Sequence, residues 1–273
     1  MSPGFGAGRL LAERARLGPH PEASPLAWRL RQLAVCASTE TELDRWLAQL
    51  QANGRGGGRP PLPLAVVADR QRFGRGQQGR VWSSPRGGVW LSAALPWPAD
   101  PGRAAALGLA AAVGLARELQ GLLEGRADGR VALKWPNDLL LLRPQRPVRK
   151  LAGLLPRLRR RGARLRWARL GVGLNGCNPV PPGAIALADL PGLEPGGARL
   201  RPPRLAALVL RGLEWAVAQS DQAEAVRQAA EALLWEGPPL ELEGELWQPQ
   251  GLAADGRLRL LRGGQERWLE RRF

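Results

Sequence analysis

The sequence predicts an α+β protein, because strand-like and helix-like stretches are mixed without the strict strand–helix–strand repetition of a doubly wound sheet. Three observations support this. Val89, Leu91, Ala93 and Leu95 alternate with a period of two, as a strand with one buried face requires. Arg103 to Glu124 is rich in alanine and leucine at helical spacing. After Gly237-Pro238-Pro239 the texture changes to short strands broken by turn signals at Ala254-Asp255-Gly256 and Gly263-Gly264. That last stretch predicts a small β-barrel appended to a larger domain.

Taken in order, Met1 to about Leu17 has arginines but no apolar run of signal-peptide length. Residues 1–25 are therefore expected to be an extension, disordered or a short helix. Leu26 to Val35 predicts a strand, with Trp28, Leu30 and Leu33 among polar residues. Ser38-Thr39 then precedes a helix over Glu40 to Leu50, with Leu43, Trp46, Leu47 and Leu50 on one face. A hydroxyl N-cap, with Glu42 as the capping-box carboxylate to Thr39, is the expected local role. Asn53 to Pro63 is rich in glycine and proline and predicts a mobile surface loop, and Leu64 to Ala68 a buried strand. Asp69 to Trp82 holds Gly74, Gly76 and Gly79 with Arg75 and Arg80, a polar loop unsuited to a core. Its glycines allow the backbone to approach a ligand closely, and successive amides can form an anion-binding concavity. The spacing matches G-x-G-x-x-G, but no helical stretch follows directly, which argues against a dinucleotide site.

Val131 to Leu133 and Leu139 to Leu142 predict strands on either side of Trp135-Pro136-Asn137-Asp138, a turn rich in turn-forming residues. Two more strands are expected over Leu151–Leu158 and Leu165–Leu174, where Gly171 and Gly173 imply close backbone approach. Leu205 to Gln219 and Asp221 to Trp235 predict helices. The chain thus divides into an extension (1–25), a main domain (26–236) and a small β unit (237–273).

Composition excludes several classes. Nothing approaches a run of 18 apolar residues, so no membrane helix is expected. The two cysteines, Cys36 and Cys177, are far apart and in no C-x-x-C pattern. A disulfide framework and a zinc site are not expected, and the chain is expected to be cytoplasmic. The single histidine, His20, lies between two prolines, which argues against histidine-based acid–base or metal chemistry. The net charge of +16 is uneven: Leu139 to Ala188 holds eleven basic residues and no acid. Such a block suits a nucleic-acid backbone, a nucleotide or an acidic partner, and equally an ordinary solvated face.

Of 40 basic residues, only Lys134 and Lys150 are lysine. In a chain that otherwise carries positive charge as arginine, both lie within one short segment. Lysine supplies a compact ammonium that fits a tight site, where the guanidinium is a planar fork. Beside them stand Trp135-Pro136-Asn137-Asp138 and Leu151-Ala152-Gly153-Leu154-Leu155.

Read together, the Gly74–Trp82 loop, Lys134-Trp-Pro-Asn-Asp138 and Arg149-Lys-Leu-Ala-Gly-Leu-Leu155, followed by Gly171-Val-Gly-Leu-Asn175, resemble the biotin protein ligases over roughly Leu26 to Phe273. The resemblance implies a central domain related to class II tRNA synthetases and an SH3-like barrel behind it. It implies an ATP-dependent enzyme that makes biotinyl-5′-AMP and transfers biotin to a lysine of the biotin carboxyl carrier protein of acetyl-CoA carboxylase. It implies Lys150 and Arg75 as catalytic groups, and Ser38, Thr39, Gln71, Gly74, Arg75, Lys150 and Gly153 around biotin. Arg75, Gly76, Gln77, Arg80, Trp82, Lys134 and Asn175 would line the nucleotide side, with Asp138 a candidate ligand for Mg2+. Neither specific DNA binding nor a membrane is expected: about 25 residues precede the first strand, too few for a helix-turn-helix domain. Two residues depart from the family's pattern. Gln77 stands where a second arginine is common, which removes a charge over the adenylate. Glu40 stands where asparagine is common, and a carboxylate cannot donate as an amide does. Two rival readings are a lipoate or octanoate ligase or transferase of the same fold, and a basic nucleic-acid-binding protein.

Overall fold

The computed structural model describes residues 6–52, 63–98, 106–161 and 164–270. At its centre is a seven-stranded sheet in the order β1 (Arg29–Leu33), β2 (Leu64–Ala68), β5 (Val89–Leu95), β9 (Arg164–Leu174), β8 (Arg149–Arg161), β7 (Asp138–Leu142), β6 (Arg130–Lys134). β1 and β2 are parallel, and every other neighbouring pair is antiparallel. The architecture is thus mixed α/β, as expected.

Strand alternation gives the sheet two different faces. Leu91, Ala93, Leu170, Val172 and Leu174 enter the main core, whereas Ser92, paired with Gly171, and Gly173 lie on the opposite face. Three helices serve the first face: α3 (Leu107–Leu123), α4 (Pro202–Ala218) and α5 (Ala223–Leu233). Helices α3 and α4 cross so closely that a Cβ on Gly114 would stand 2.1 Å from the Gly212 carbonyl oxygen. On the second face α2 (Thr39–Ala52) covers only part of the sheet, packing Leu43, Trp46 and Leu47 on Leu64, Val66 and Ala94. The remainder of that face is open.

Several expectations change. Within the N-terminal extension, α1 (Ala7–Arg16) packs on α4. Its Leu10 is fully buried, and Arg14 pairs with the buried Glu214, which also accepts a 2.8 Å hydrogen bond from the Trp28 indole. Amphipathic spacing alone does not reveal such docking, because the partner lies some 200 residues away. The capping box between Thr39 and Glu42 is not made. The Thr39 hydroxyl turns to Gln71 and Ser92, and Glu42 pairs instead with Arg45. Most of the expected 53–63 loop, the start of the 103–124 helix and the side chains of the basic run 159–167 lie outside the described residues.

Within residues 237–270 the chain forms a four-stranded antiparallel sheet: β10 (Leu240–Leu242), β11 (Glu245–Leu252), β12 (Leu258–Arg262), β13 (Gln265–Leu269). The expected barrel is not closed: β10 and β13 remain its edges among the described residues. The reason lies in the main domain. Trp247, Leu252, Leu258 and Leu260 are buried as part of the main core, so the sheet hides its apolar side without rolling up. The Trp135 indole donates to the Gly256 carbonyl at 2.9 Å and fixes this unit beside the β6–β7 turn. No helix among the described residues is long and apolar enough to cross a membrane.

Candidate active site

The site forms on the open face, around the β6–β7 hairpin. Lys134 and Asp138 pair directly across that hairpin, so both point to the same side of the sheet. The turn between them, with a cis Trp135–Pro136 bond, is fixed to β8 by Asn137. Its amide donates to the Leu154 carbonyl at 2.7 Å, and its own carbonyl accepts from the Leu154 N–H at 2.8 Å.

A β-bulge then aims the second lysine. In a regular strand Lys150 and Gly153, three residues apart, would face opposite sides. Here Asp138 pairs with Gly153 and Leu140 with Lys150, leaving Leu151 as the extra residue. Lys150 therefore joins Gly153 and Asp138 on the open face, and its ammonium stands 2.7 Å from the Asp138 carboxylate. Its backbone is clamped as well: the Lys150 N–H donates to Gly183 O at 2.9 Å, and its carbonyl accepts from Ile185 N–H at 3.0 Å.

The Asp69–Trp82 loop is an ordered flap whose short hairpin pairs β3 (Gly74–Arg75) with β4 (Val81–Trp82). It lays the Trp82 indole flat on two glycines of the sheet. Gly153 and Gly173 pair across β8 and β9, and a Cβ on either would come within 2.8 and 2.6 Å of the Trp82 ring respectively. The Lys150 ammonium stands 4.7 Å from the same ring, within cation–π range.

Gln71 holds the base of the flap. Its carbonyl oxygen accepts from Thr39 N–H at 2.7 Å and from the Thr39 hydroxyl at 3.0 Å, and its amide donates to Ser84 at 2.8 Å. Gly74 is required for a different reason than ligand contact. A Cβ there would meet Trp82 O at 2.3 Å and Ser84 Oγ at 2.5 Å.

Together these elements enclose a cavity of about 520 Å³. One end holds Lys150, Asp138, Lys134, Asn137 and Trp235. The other holds Ser38, Thr39, Glu40, Gln71, Ser92 and Gly171, and Trp82 lies between. Four cations (Arg75, Arg80, Lys134, Lys150) and two carboxylates (Glu40, Asp138) line it. Four buried polar groups in its wall, Ser38 Oγ, the Glu40 carboxylate, Trp82 Nε1 and Asp138 Oδ1, find no hydrogen-bond partner among the described residues, although Glu40 faces Arg157 and Asp138 faces Lys150 as ion pairs. A wall that leaves such groups unsatisfied is one built to meet a ligand or water.

Every residue singled out from the sequence lines this cavity except Gly74, which shapes the flap behind it. Arg75 and Arg80 are exposed at the mouth on the flap. Buried Asn175 accepts from Asn178 Nδ2 at 3.2 Å and secures the end of β9. Asp138 is engaged with Lys150, and no cluster of three metal-ligating side chains occurs among the described residues. Sequence reasoning missed Ser92, Trp235 and the 181–184 loop. Ser92 lies within an ordinary alternating strand, and Trp235 at the end of a helix. His20 lies elsewhere, in a second cavity of about 260 Å³ with Arg117, Arg199, Arg204 and Arg211. Burial there holds its imidazole below the usual range, against the opposing pull of Glu118 and Glu22.

Comparisons with known proteins agree with this geometry. Residues 43–175 match the biotin/lipoate A/B protein ligase family. The bifunctional ligase/repressor BirA of Salmonella typhimurium is 38% identical over 112 residues, 41% of this chain and 32% of that protein. The biotin–[acetyl-CoA-carboxylase] ligase of Paracoccus denitrificans is 35% identical over 120 residues, 44% of this chain and 47% of that protein. The chain thus spans a third to a half of the length of these relatives. Among solved structures, a biotin protein ligase from Aquifex aeolicus in complex with biotin and ATP superposes with a TM-score of 0.66 at 22% identity. That match covers 88% of this chain and 95% of the other, a likeness of fold. Residues 43–175 are thus similar in sequence to the biotin/lipoate A/B protein ligase family, and the fold is that of a solved biotin protein ligase.

Proposed function

We propose that the chain activates biotin with ATP as biotinyl-5′-AMP and transfers it to a lysine of a biotin carboxyl carrier protein, in the cytoplasm. The observation that carries this is the Lys150 ammonium, held by Asp138 beside the Trp82 ring at one end of a cavity whose other end is chemically distinct. In the first step a biotin carboxylate oxygen attacks the α-phosphorus of ATP, and pyrophosphate leaves. Two anions must meet there, and the transition state concentrates charge on the phosphoryl oxygens. Fixed cations answer both demands with little reorganisation. Lys150 is positioned by the Asp138 carboxylate and its clamped backbone, and Arg75 lines the same cavity from the flap. Both are assigned to the carboxylate and phosphate.

Ser38, Thr39, Gln71 and Gly153 are assigned to the biotin end. Gly76, Gln77, Arg80, Trp82, Lys134 and Asn175 are assigned to the nucleotide side, with Gly74 shaping the flap. The flap also keeps water from the mixed anhydride. In the second step the neutral amine of the carrier lysine attacks the acyl carbon, AMP leaves and a proton is released. No protein nucleophile is required. Mg2+ fits best as part of the MgATP substrate. The one nearby carboxylate, Asp138, already pairs with Lys150, and Mg2+ is commonly held by one or two carboxylates plus substrate phosphates. Residues 26–236 would form the catalytic unit. Residues 237–273 would be a reduced counterpart of an SH3-like barrel beside the turn bearing Trp135.

ATP–pyrophosphate exchange tests this directly. Biotin-dependent exchange is expected from the intact chain, and Lys150→Arg should cut it about 10²–10³-fold, the typical cost of losing one preorganised charge-stabilising group. Exchange with lipoate or octanoate alone, or none at all, refutes the reading.

A further inference from the structure

The second cavity, between α3, α4 and the turn after α1, gathers more positive charge than its surroundings compensate. Five guanidiniums line it: Arg117 on α3, Arg126 just after it, Arg199 just before α4, and Arg204 and Arg211 on α4. Two of these are answered by carboxylates. Arg211 donates to Glu118 at 2.8 Å and to the Leu17 carbonyl at 2.8 Å, and Arg117 pairs with Glu22 at 2.8 Å. The other three have no carboxylate partner among the described residues. Arg126 donates only to the Glu124 carbonyl, at 2.7 Å, and Arg204 Nε is buried with no hydrogen-bond partner. The rim that carries Arg199 is pinned. Leu193 and Leu200 are buried in the core, and a Cβ on Gly192 would stand 2.1 Å from the Arg126 carbonyl oxygen. His20 also lines the cavity. Its Nδ1 accepts from the Glu22 N–H at 3.0 Å, so the neutral ring carries its proton on Nε2, a further donor.

We propose that this cavity binds a small phosphate-class polyanion, held by Arg126, Arg199 and Arg204. Like charges converging on a concavity repel one another, and a buried donor without a partner costs stability. A polyanion answers both, and the guanidinium fork matches phosphate oxygens with paired hydrogen bonds. Three uncompensated charges call for an anion of more than one charge. The volume, about 260 Å³, falls below the roughly 300–1,000 Å³ of pockets for drug-sized ligands, which favours an anion of pyrophosphate size over a whole nucleotide. A nucleic-acid backbone is met by charges spread along a face or stripe, whereas these converge on one cavity. The site stands independently of the activity proposed at Lys150, which lies on the other face of the sheet.

The test uses the one histidine of the chain as a local reporter. Pyrophosphate is titrated into the intact protein at constant ionic strength, with chloride as the control, and the His20 ring protons are followed by NMR. A saturating shift is expected. The imidazole pKa should also rise, because an anion beside the ring favours its protonated form. In the free protein burial holds it low, Glu118 and Glu22 oppose this, and Arg211 and Arg117 add to it. Arg199→Gln and Arg204→Gln, each first checked by thermal melting, should weaken pyrophosphate binding about tenfold or more, the value of a hydrogen bond to a charged group. If the Arg204 variant does not fold, Arg199→Gln still decides, since Arg199 is exposed. No saturating shift, a shift that chloride reproduces, or an affinity unchanged in Arg199→Gln overturns the proposal. So does a His20 shift produced by a DNA oligonucleotide and not by pyrophosphate.

Discussion

The two faces of one sheet follow opposite design rules. On the core face, Leu91, Ala93, Leu170 and Val172 meet α3 and α4, and the buried Glu214 is held there by Arg14 and the Trp28 indole. On the open face the intervening residues of the same strands are Ser92, Gly171 and Gly173. Around them, Ser38 Oγ and Trp82 Nε1 find no hydrogen-bond partner among the described residues, and Glu40 faces the Arg157 guanidinium at 3.5 Å. Apolar packing dominates the first face. The second keeps space and unsatisfied polarity for something that arrives from outside. A period-two strand lets a protein build both within a few residues.

That contrast predicts where a mutation is felt. Glu214→Ala leaves the Arg14 charge buried without its partner and should cost about 3–5 kcal/mol of stability, read from the denaturant midpoint. The specific activity of the remaining folded protein should be unchanged. An equal fall in both would erase the distinction between faces. Gly173→Ala should do the reverse. Its Cβ would meet the Trp82 ring at 2.6 Å and push the flap off the floor. Acyl-adenylate formation should fall about tenfold or more, the scale set by misplacing a reacting group. The melting temperature should move little, since a surface flap can yield.

A smaller effect lies at Cys36, on the loop leading into Ser38. Burial, and secondarily the Glu42 charge, raises its thiol from 9.0 to about 11. The folded state holds this proton more tightly than the unfolded chain. The stability associated with the neutral thiol is therefore intact below about pH 9 and lost as pH rises through about 11. Alkaline melts should show this decline in the intact chain and lack it in Cys36→Ala. At neutral pH a thiol reagent should leave Cys36 unmodified in the folded protein.

Much of the cavity was legible because its pieces are local in sequence. Two lysines in an arginine-rich chain, a glycine–arginine loop ending in Trp82, and a Trp-Pro-Asn-Asp turn each stand out within a few residues. Ser92 and Trp235 were not legible: one is an unremarkable strand residue and the other an ordinary helix end until the fold carries them to the cavity. Glu40 was visible as a departure from a pattern. Its burial over Gly171 was not visible, since that contact joins α2 to β9 across 131 positions.

The sequence by itself determined the strands, the helices and the segments that gather around Lys150, because periodicity and turn chemistry act over a few neighbouring residues. Tertiary structure decided which way those segments face. The extra residue at Leu151 exists only relative to β7, and without it Lys150 would point into the apolar core, away from Asp138. Likewise Gly153 and Gly173 become a floor for Trp82 only through the pairing of β8 with β9. The docking of α1 on α4 and the open C-terminal sheet follow from apolar surface elsewhere in the chain. Register, bulges and docking depend on partners distant in sequence, which local patterns do not specify.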